Sequence, residues 1–203
     1  MINLSKSALL VVDVQNDFCP GGALAVPNGD QVIAPLNIMI SLFKRHDGLI
    51  LFSRDWHPRN TKHFAEFGGK WPAHCIQGTW GAELNSKLNT THLPTAIDII
   101  KGTSQEDDGY SPFEGIMMLG SFSTGQLLRS QEITELFIGG LATDYCVKAA
   151  CLDAIRFGFK TCLLLDACRA VNINPDDGDR AIEEMRQSGV VIATTKEVFC
   201  EIR

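Results

Sequence analysis

Short apolar runs alternate with stretches of helical periodicity along the chain. Six runs are continuously apolar, as expected of strands covered on both faces of a parallel sheet, and they span residues 8–14, 48–55, 96–103, 134–144, 160–168 and 189–195. Apolar residues at three- and four-residue spacing predict helices over 33–45, 144–157 and 179–187. This alternation predicts a doubly wound α/β fold, with a mostly parallel six-stranded sheet and helices on both faces.

The size and composition are those of an ordinary globular protein. The chain has 203 residues, of which 45% are hydrophobic and 21% charged, and its mean hydropathy is +0.03. A chain of this size buries roughly 70% of the surface of its unfolded form, which is enough for a core without disulfide bonds. Because no linker, repeat or low-complexity segment divides it, residues 1–203 are predicted to form a single domain.

The charge balance narrows the range of partners. A formal net charge of −6 and a pI near 5.3, without a run of Lys or Arg, disfavour nucleic acid and anionic membranes. The N-terminal apolar run is interrupted early by Asp13, so it resembles neither a signal peptide nor a membrane span. We therefore expect a cytoplasmic protein whose seven cysteines stay reduced.

Three of the predicted strands lead into a chemically reactive side chain. Asp13 lies at the end of the first run, Lys101 lies at the end of the third, and Cys146 comes shortly after the fourth. The carboxyl ends of parallel strands meet at one crevice, so these side chains are predicted to lie together. For each one a structural interpretation stays open, namely a turn aspartate, a solvated lysine or a core cysteine.

Cys146 has the most favourable local chemistry of the seven cysteines. The segment TDYC is predicted to open a helix with Thr143 or Asp144 as its cap, which puts the thiol in the first helical turn. The helix dipole and the ammonium of Lys101 are both expected to lower the pKa of the thiol and favour the thiolate.

The segment RDWHPRNTKHF concentrates side chains that bind metals. At strand spacing Asp55 and His57 point the same way, His63 returns toward them after a turn, and WPAHC supplies His74. Three imidazoles and one carboxylate suit zinc, iron or manganese. A hydrated polar loop is the alternative, because this spacing is less stereotyped than paired CxxC motifs.

The assignment of a general base follows from the histidines that remain. A cysteine nucleophile ordinarily needs a base, most often histidine. With three histidines assigned to the metal, only His46 and His92 are left, and neither lies at the carboxyl end of a strand. Asp13 is therefore the most economical base for Cys146.

Five separated motifs, in consistent order between residues 8 and 170, carry a resemblance to a known family. They are DVQNDFCPGGALAV, SRDWHP followed by His63, WPAHCIQGTWGAEL, KGT with YSPFEG, and GLATDYCVKAACLDA. Together they resemble the nicotinamidase branch of the isochorismatase-like cysteine hydrolases. The resemblance implies an amidohydrolase that converts nicotinamide to nicotinate and ammonia through a cysteine thioester, in NAD salvage. Asp13, Lys101 and Cys146 match the family's catalytic triad.

The resemblance also implies a metal ion as cofactor. Asp55, His57, His63 and His74 match the family's ligands for one divalent ion, with zinc as the leading choice and iron or manganese as alternatives. In this family the ion binds the ring nitrogen of the substrate or holds water near it. These four residues are therefore expected to govern specificity more than nucleophile activation.

The expected substrate pocket is aromatic. Phe18 and Trp71 match the residues that hold the pyridine ring, and Tyr110 matches a position that lines the pocket. For Phe18 and Trp71, ordinary core packing is the alternative. The family has a cis peptide at the position of Leu141–Ala142, and the amides of Ala142 and Cys146 match its oxyanion hole. Small carboxamides, including pyrazinamide-like ones, are the expected partners, and a homo-oligomer is left open.

Four other functions are alternatives to the nicotinamide-hydrolysing activity. An isochorismatase needs neither the cysteine nor the histidines, and a carbamoyl-amide hydrolase keeps the cysteine without needing the metal. In a metallohydrolase, a metal-bound hydroxide would replace Cys146 as the nucleophile. A ligand sensor on the same fold would bind nicotinamide without turnover.

Overall fold

The computed structural model describes residues 3–91, Leu93, 96–117 and 123–201, so that His92 lies outside the described residues. Within these ranges one sheet runs through the molecule in the order β4-β3-β2-β1-β5-β6-β7. Its strands are β1 (Ser7–Val12), β2 (Leu49–Asp55), β3 (Ala96–Lys101), β4 (Ile116–Met117), β5 (Glu135–Leu141), β6 (Lys160–Arg169) and β7 (Val191–Ala193). The helices are α1 (Ile33–Arg45), α2 (Thr124–Ser130), α3 (Lys148–Arg156), α4 (Asp177–Gln187) and α5 (Thr195–Glu201).

The six predicted strands are confirmed as a mostly parallel sheet, but the strand count is wrong by one. The seventh strand is β4, which pairs antiparallel to β3 through Ile99 with Met117 and Ile100 with Ile116. It has only two residues, too few to give a periodic pattern in the sequence. The other neighbouring strands pair in parallel.

The core lies on both faces of the sheet, as the continuous apolar runs predict. Successive side chains of β1 point to opposite faces: Leu9 and Val11 pack with the α1 side of the molecule, whereas Leu10 and Val12 pack with the α3 side. Every residue of β1 is buried. Burying each such Leu or Val contributes about 1.5–3 kcal/mol, so the central strand is anchored from both sides.

The strand order sets where a site can form. The chain adds β2 and β3 on one side of β1 and then returns to place β5 on the other side. A crevice opens where the order reverses, beyond the carboxyl ends of β1 and β5. Over the described part of the chain, no helix combines the length and the apolar character needed to cross a membrane.

Candidate active site

The three strand-end residues predicted to meet do so in the crevice. The ammonium nitrogen of Lys101 lies 2.7 Å from Oδ2 of Asp13 and 3.4 Å from Sγ of Cys146. It also donates to the carbonyl oxygen of Gly109 at 2.7 Å and to the carboxylate of Asp55. Because all of these side chains are buried, the lysine provides a positive charge for two carboxylates and a thiol inside the protein.

Asp13 is held by its backbone and by one hydroxyl. Its φ of 49° lies in the left-handed region, which is uncommon outside glycine and is often found at functional sites. The hydroxyl of Ser53 donates to Oδ1 of Asp13 at 2.7 Å. Burial raises the pKa of Asp13 above its ordinary value, against the opposing effect of Lys101. A carboxylate with a raised pKa is a better proton acceptor at neutral pH.

The surroundings of Cys146 differ from two sequence-based expectations. A π-helical turn over Thr143–Val147 precedes α3, and no side chain caps it; instead the carboxylate of Asp144 accepts from the amides of Val171 and Asn172. Burial raises the pKa of the Cys146 thiol well above its ordinary value, although Lys101 lowers it. Burial therefore opposes the thiolate expected from the helix position and from Lys101, and a base beside the thiol would favour its ionisation.

The predicted metal-binding side chains also come together. The ligand atoms of His57, His63 and His74 lie within 4.8 Å of one another, and all three side chains are buried. In each ring Nδ1 lies against an oxygen acceptor, which fixes the proton on Nδ1 and leaves Nε2 as the free ligand atom. The acceptors are Gly102 O at 3.1 Å, Asp108 Oδ1 at 2.9 Å and Pro72 O at 2.8 Å, respectively.

The geometry around the imidazoles fits a divalent cation. Nε2 of His57 is buried and has no hydrogen-bond partner among the described residues, which is costly unless a ligand occupies that position. Oδ2 of Asp55 lies 3.6 Å from that nitrogen and 3.8 Å from Nε2 of His74. Burial alone would raise the pKa of Asp55, but Lys101 and the two imidazoles hold it well below its ordinary value. Asp55 therefore joins the metal set to the Lys101 cluster as an anion.

Gly102, directly after β3, allows the backbone to lie close to the ring of His57. Its φ is +64°, and a Cβ at this position would lie 2.4 Å from Cε1 of His57. Only a residue without a side chain lets its carbonyl receive the Nδ1–H of His57 at 3.1 Å. The KGT motif thus supplies both the lysine and the backbone acceptor beside it.

Two buried polar residues that support the site were missed by the sequence reasoning. The amide of Gln15 donates to the carbonyls of Asp55 and Ala82 at 2.8 and 2.9 Å and accepts from the amide N–H of Asp55 at 2.8 Å. Asp17 accepts from the amide N–H groups of Ala23 and Cys75 at 3.0 and 2.7 Å. The available signal was the cluster of polar residues QND directly after a fully apolar strand, since buried polar groups need partners.

The predicted aromatic residues line one cavity beside the imidazoles and Cys146. Phe18 lies with its ring centroid 5.4 Å from that of His74, and Nε1 of Trp71 donates to the hydroxyl of Tyr110 at 3.0 Å. Tyr145, which the sequence reasoning did not select, packs edge-on to Trp71 at 4.8 Å. A cavity with this aromatic lining suits a small planar ligand.

One wall of the cavity combines a thiol, a carboxylate, two of the imidazoles and a backbone segment. Its lining includes Asp55, His63, His74, Ala142 and Cys146. The predicted cis peptide Leu141–Ala142 is confirmed. The thiol therefore faces the same space as the imidazoles and the aromatic rings.

The strand order and the crevice beyond β1 and β5 define the protein's class. It is a doubly wound α/β protein with its candidate site at the carboxyl ends of the central strands. The family model described as Isochorismatase domain matches residues 7–197. The chain belongs to the isochorismatase family.

Three relatives illustrate its position within the family. A nicotinamidase of Escherichia coli is 39% identical, over 92% of this chain and 94% of that protein. The structure of a pyrazinamidase of Pyrococcus horikoshii in complex with zinc is 43% identical, with a TM-score of 0.83 over 93% of this chain and 99% of that one. The structure of PnC1 from L. infantum in complex with nicotinate is 34% identical, with a TM-score of 0.84 over 96% of each chain.

Proposed function

We propose that the chain is a nicotinamidase, an amide hydrolase that converts nicotinamide to nicotinate and ammonia for NAD salvage. The observation that carries the proposal is the position of Lys101, which is paired with Asp13 and lies 3.4 Å from Sγ of Cys146. Cys146 in turn lines the same cavity as Asp55, His63 and His74. The nicotinamidase of Escherichia coli and the nicotinate complex of PnC1 support the substrate.

In the first step Asp13 takes the proton of the Cys146 thiol and the sulfur attacks the carboxamide carbon. Burial favours both the neutral thiol and a proton on Asp13, so the transfer moves a proton between groups whose pKa values are both raised. Lys101 stays within reach of the negative charge as it moves from carboxylate to sulfur. The carbonyl oxygen becomes an oxyanion in a tetrahedral intermediate.

The second step releases ammonia and leaves a thioester. The backbone N–H groups of Ala142 and Cys146 would donate to the oxyanion, an effect worth about 3 kcal/mol for each donor. As the intermediate collapses, the C–N bond breaks and Asp13 returns its proton to the departing nitrogen. A water gives a proton to Asp13 and attacks the thioester. The C–S bond then breaks, Asp13 passes that proton to the departing sulfur of Cys146, and the acid product leaves as nicotinate once its own proton has gone to solvent.

Asp55, His57, His63 and His74 would hold one divalent ion, which we propose to be zinc. A donor set of imidazoles and a carboxylate suits this ion, and the Pyrococcus horikoshii relative is a zinc complex. When bound, such an ion supplies a Lewis acid for the pyridine nitrogen or for a water beside it. The rings of Phe18 and Trp71 would hold the pyridine, with its carboxamide directed to Cys146.

The test is ammonia release from nicotinamide by the purified chain beside Cys146→Ala at equal metal content. We expect turnover by the wild type and loss of turnover in the variant with metal retained. Activity that survives the substitution would favour a metal-bound hydroxide as the nucleophile. A fully metal-loaded wild type that releases no ammonia would contradict the nicotinamidase assignment and favour a carbamoyl-amide substrate or a binding role.

A further inference from the structure

We propose that Asp108 is a positioning residue that orients His63 and strengthens metal binding, an inference that rests on the metal site of the proposed function. Oδ1 of Asp108 lies 2.9 Å from Nδ1 of His63. The imidazole is buried, with 4% of its side chain exposed, whereas 68% of the Asp108 side chain is exposed. A surface carboxylate thus contacts a buried ring that belongs to the cluster of His57, His63 and His74.

The other two imidazoles are held in a different way. Nδ1 of His57 bonds the carbonyl of Gly102 and Nδ1 of His74 bonds the carbonyl of Pro72, so the backbone orients both rings. His63 instead bonds a side chain from another loop. Its orientation therefore depends on a residue that a single substitution can remove.

The loop that carries Asp108 is fastened beside His63. The amide N–H of Lys62 donates to the carbonyl of Gln105 at 2.9 Å, and the hydroxyl of Thr61 donates to the same oxygen at 3.3 Å. The ammonium of Lys62 also pairs with Glu106 at 2.7 Å, but both side chains are mostly exposed, so this pair contributes little to the position of the loop. The two hydrogen bonds to Gln105 fix the position of the loop relative to residues 61–63. The carboxylate of Asp108 is thereby held beside the ring of His63.

The chemistry of the pair points to metal affinity. A carboxylate on Nδ1–H keeps the proton on that nitrogen, leaves Nε2 of His63 as a lone-pair donor, and increases its basicity. A neutral amide in place of Asp108 would still accept the hydrogen bond but would lack the charge. Loss of such a partner typically weakens metal binding by about 10–100-fold.

The experiment measures zinc affinity of the full-length chain by competition with a chromophoric chelator, after the resident metal has been removed. The variants are Asp108→Ala, Asp108→Asn and Asp108→Glu, with Glu106→Gln as the matched control. Glu106 belongs to the same loop and its substitution removes the same charge, but its ion pair is with Lys62. We expect about 10–100-fold weaker binding for Asp108→Ala, a smaller loss for Asp108→Asn, partial rescue by Asp108→Glu, and wild-type affinity for Glu106→Gln.

A second readout separates positioning from general loss of structure. With cobalt in place of zinc, the visible absorption of the ion reports the geometry of its ligands, and we expect it to change in Asp108→Ala but not in Glu106→Gln. The metal-free forms of both variants are expected to unfold at the wild-type temperature. Because Asp108 is mostly exposed, its removal leaves no cavity.

Wild-type zinc affinity and an unchanged cobalt spectrum in Asp108→Ala would overturn the inference. An equal loss of affinity in Glu106→Gln would also overturn it, since the loss would then follow the charge of the loop. A wild type without zinc affinity would overturn both this inference and the metal site. Zinc affinity that depends on Asp108 in a chain that does not hydrolyse nicotinamide would uphold the inference and contradict the proposed function alone.

Discussion

The ammonium of Lys101 and the carboxylate of Asp13 form an ion pair of 2.7 Å in which neither side chain is exposed to solvent. The same ammonium contacts the carboxylate of Asp55, so one cation serves two buried anions. Burial of charge is costly, and the cost is offset only while each charge keeps its partner. Loss of either partner is therefore expected to lower the free energy of unfolding as well as to change the chemistry of the crevice.

Lys101→Met is expected to destabilise the protein as well as abolish turnover. The substitution keeps an unbranched apolar side chain, one atom shorter, but leaves Asp13 and Asp55 without their cation. Removing one partner of a buried pair costs about 3–5 kcal/mol. Urea unfolding at neutral pH measures the free energy of unfolding, and circular dichroism confirms that the variant is folded at zero urea.

The control for this prediction is Lys62→Met. The ammonium of Lys62 pairs with Glu106 at the surface, and such exposed pairs contribute about 0–1 kcal/mol. Equal losses of unfolding free energy in the two variants would contradict the role of burial. Lys101→Met with wild-type stability would mean that the two carboxylates find another source of charge compensation.

Gly102→Ala is expected to disrupt the imidazole cluster. The new Cβ would lie 2.4 Å from Cε1 of His57, and the backbone φ of +64° is unfavourable for alanine. His57 must then shift, which separates it from the other ligands. Metal content after exhaustive dialysis, measured by atomic emission, is expected to fall well below one ion per chain while the wild type retains its metal.

Gly158→Ala is the matched control for the backbone strain. Gly158 also has a positive φ, +87°, but a Cβ there would meet nothing within 4 Å. Alanine at a left-handed position costs about 1–2 kcal/mol in either variant. We expect both variants to lose stability and only Gly102→Ala to lose metal, so metal retention in both would contradict the steric argument.

The main features of the fold followed from local pattern, because fully buried parallel strands are apolar along their whole length. The residues at strand ends and in the RDWHP segment could be selected for their reactive groups. Gln15 and Asp108 could not be assigned, since their partners come from distant segments and their polarity alone fits a solvated turn. The effect of burial on the thiol pKa of Cys146 could not be foreseen, because local helix position was visible in the sequence and burial was not.

Tyr110→Phe is expected to weaken substrate binding while leaving the chemical step largely intact. The hydroxyl of Tyr110 accepts from Nε1 of Trp71 at 3.0 Å, and Trp71 is 6% exposed. Leaving this donor unpaired costs about 1–3 kcal/mol, and movement of the ring would relieve that cost. Steady-state kinetics with nicotinamide are expected to give a KM raised about tenfold, with kcat within about twofold of the wild type.

Tyr145→Phe tests whether the effect comes from the unpaired tryptophan. The hydroxyl of Tyr145 accepts from the exposed side chain of Lys70 at 2.7 Å, and water replaces such a partner readily. We expect a smaller rise in KM than for Tyr110→Phe. A larger rise in Tyr145→Phe, or a fall in kcat alone in Tyr110→Phe, would contradict this account.

Alkaline pH is expected to destabilise the fold through its buried thiols. Burial raises the pKa of Cys168 from 9.0 to about 12. An unfolded chain ionises this thiol near pH 9 while the folded chain keeps its proton, so the stabilising contribution is complete below pH 9. That contribution is lost as pH rises from 9 toward 12, at about 1.4 kcal/mol for each pH unit.

Cys168→Ala removes this titration and is expected to flatten the dependence of stability on pH above 9. Urea unfolding at about pH 7.5, 9.5 and 10.5, on either side of the ordinary thiol pKa of 9.0, measures the slope. Cys200→Ala is the control, because Cys200 is exposed and its substitution is expected to leave the wild-type slope. Parallel slopes for wild type and Cys168→Ala would mean that other groups, such as lysines and tyrosines, govern the alkaline loss. A flatter slope in Cys168→Ala alone would instead assign part of that loss to the buried thiol of Cys168 in β6, whose ionisation burial disfavours in the folded state.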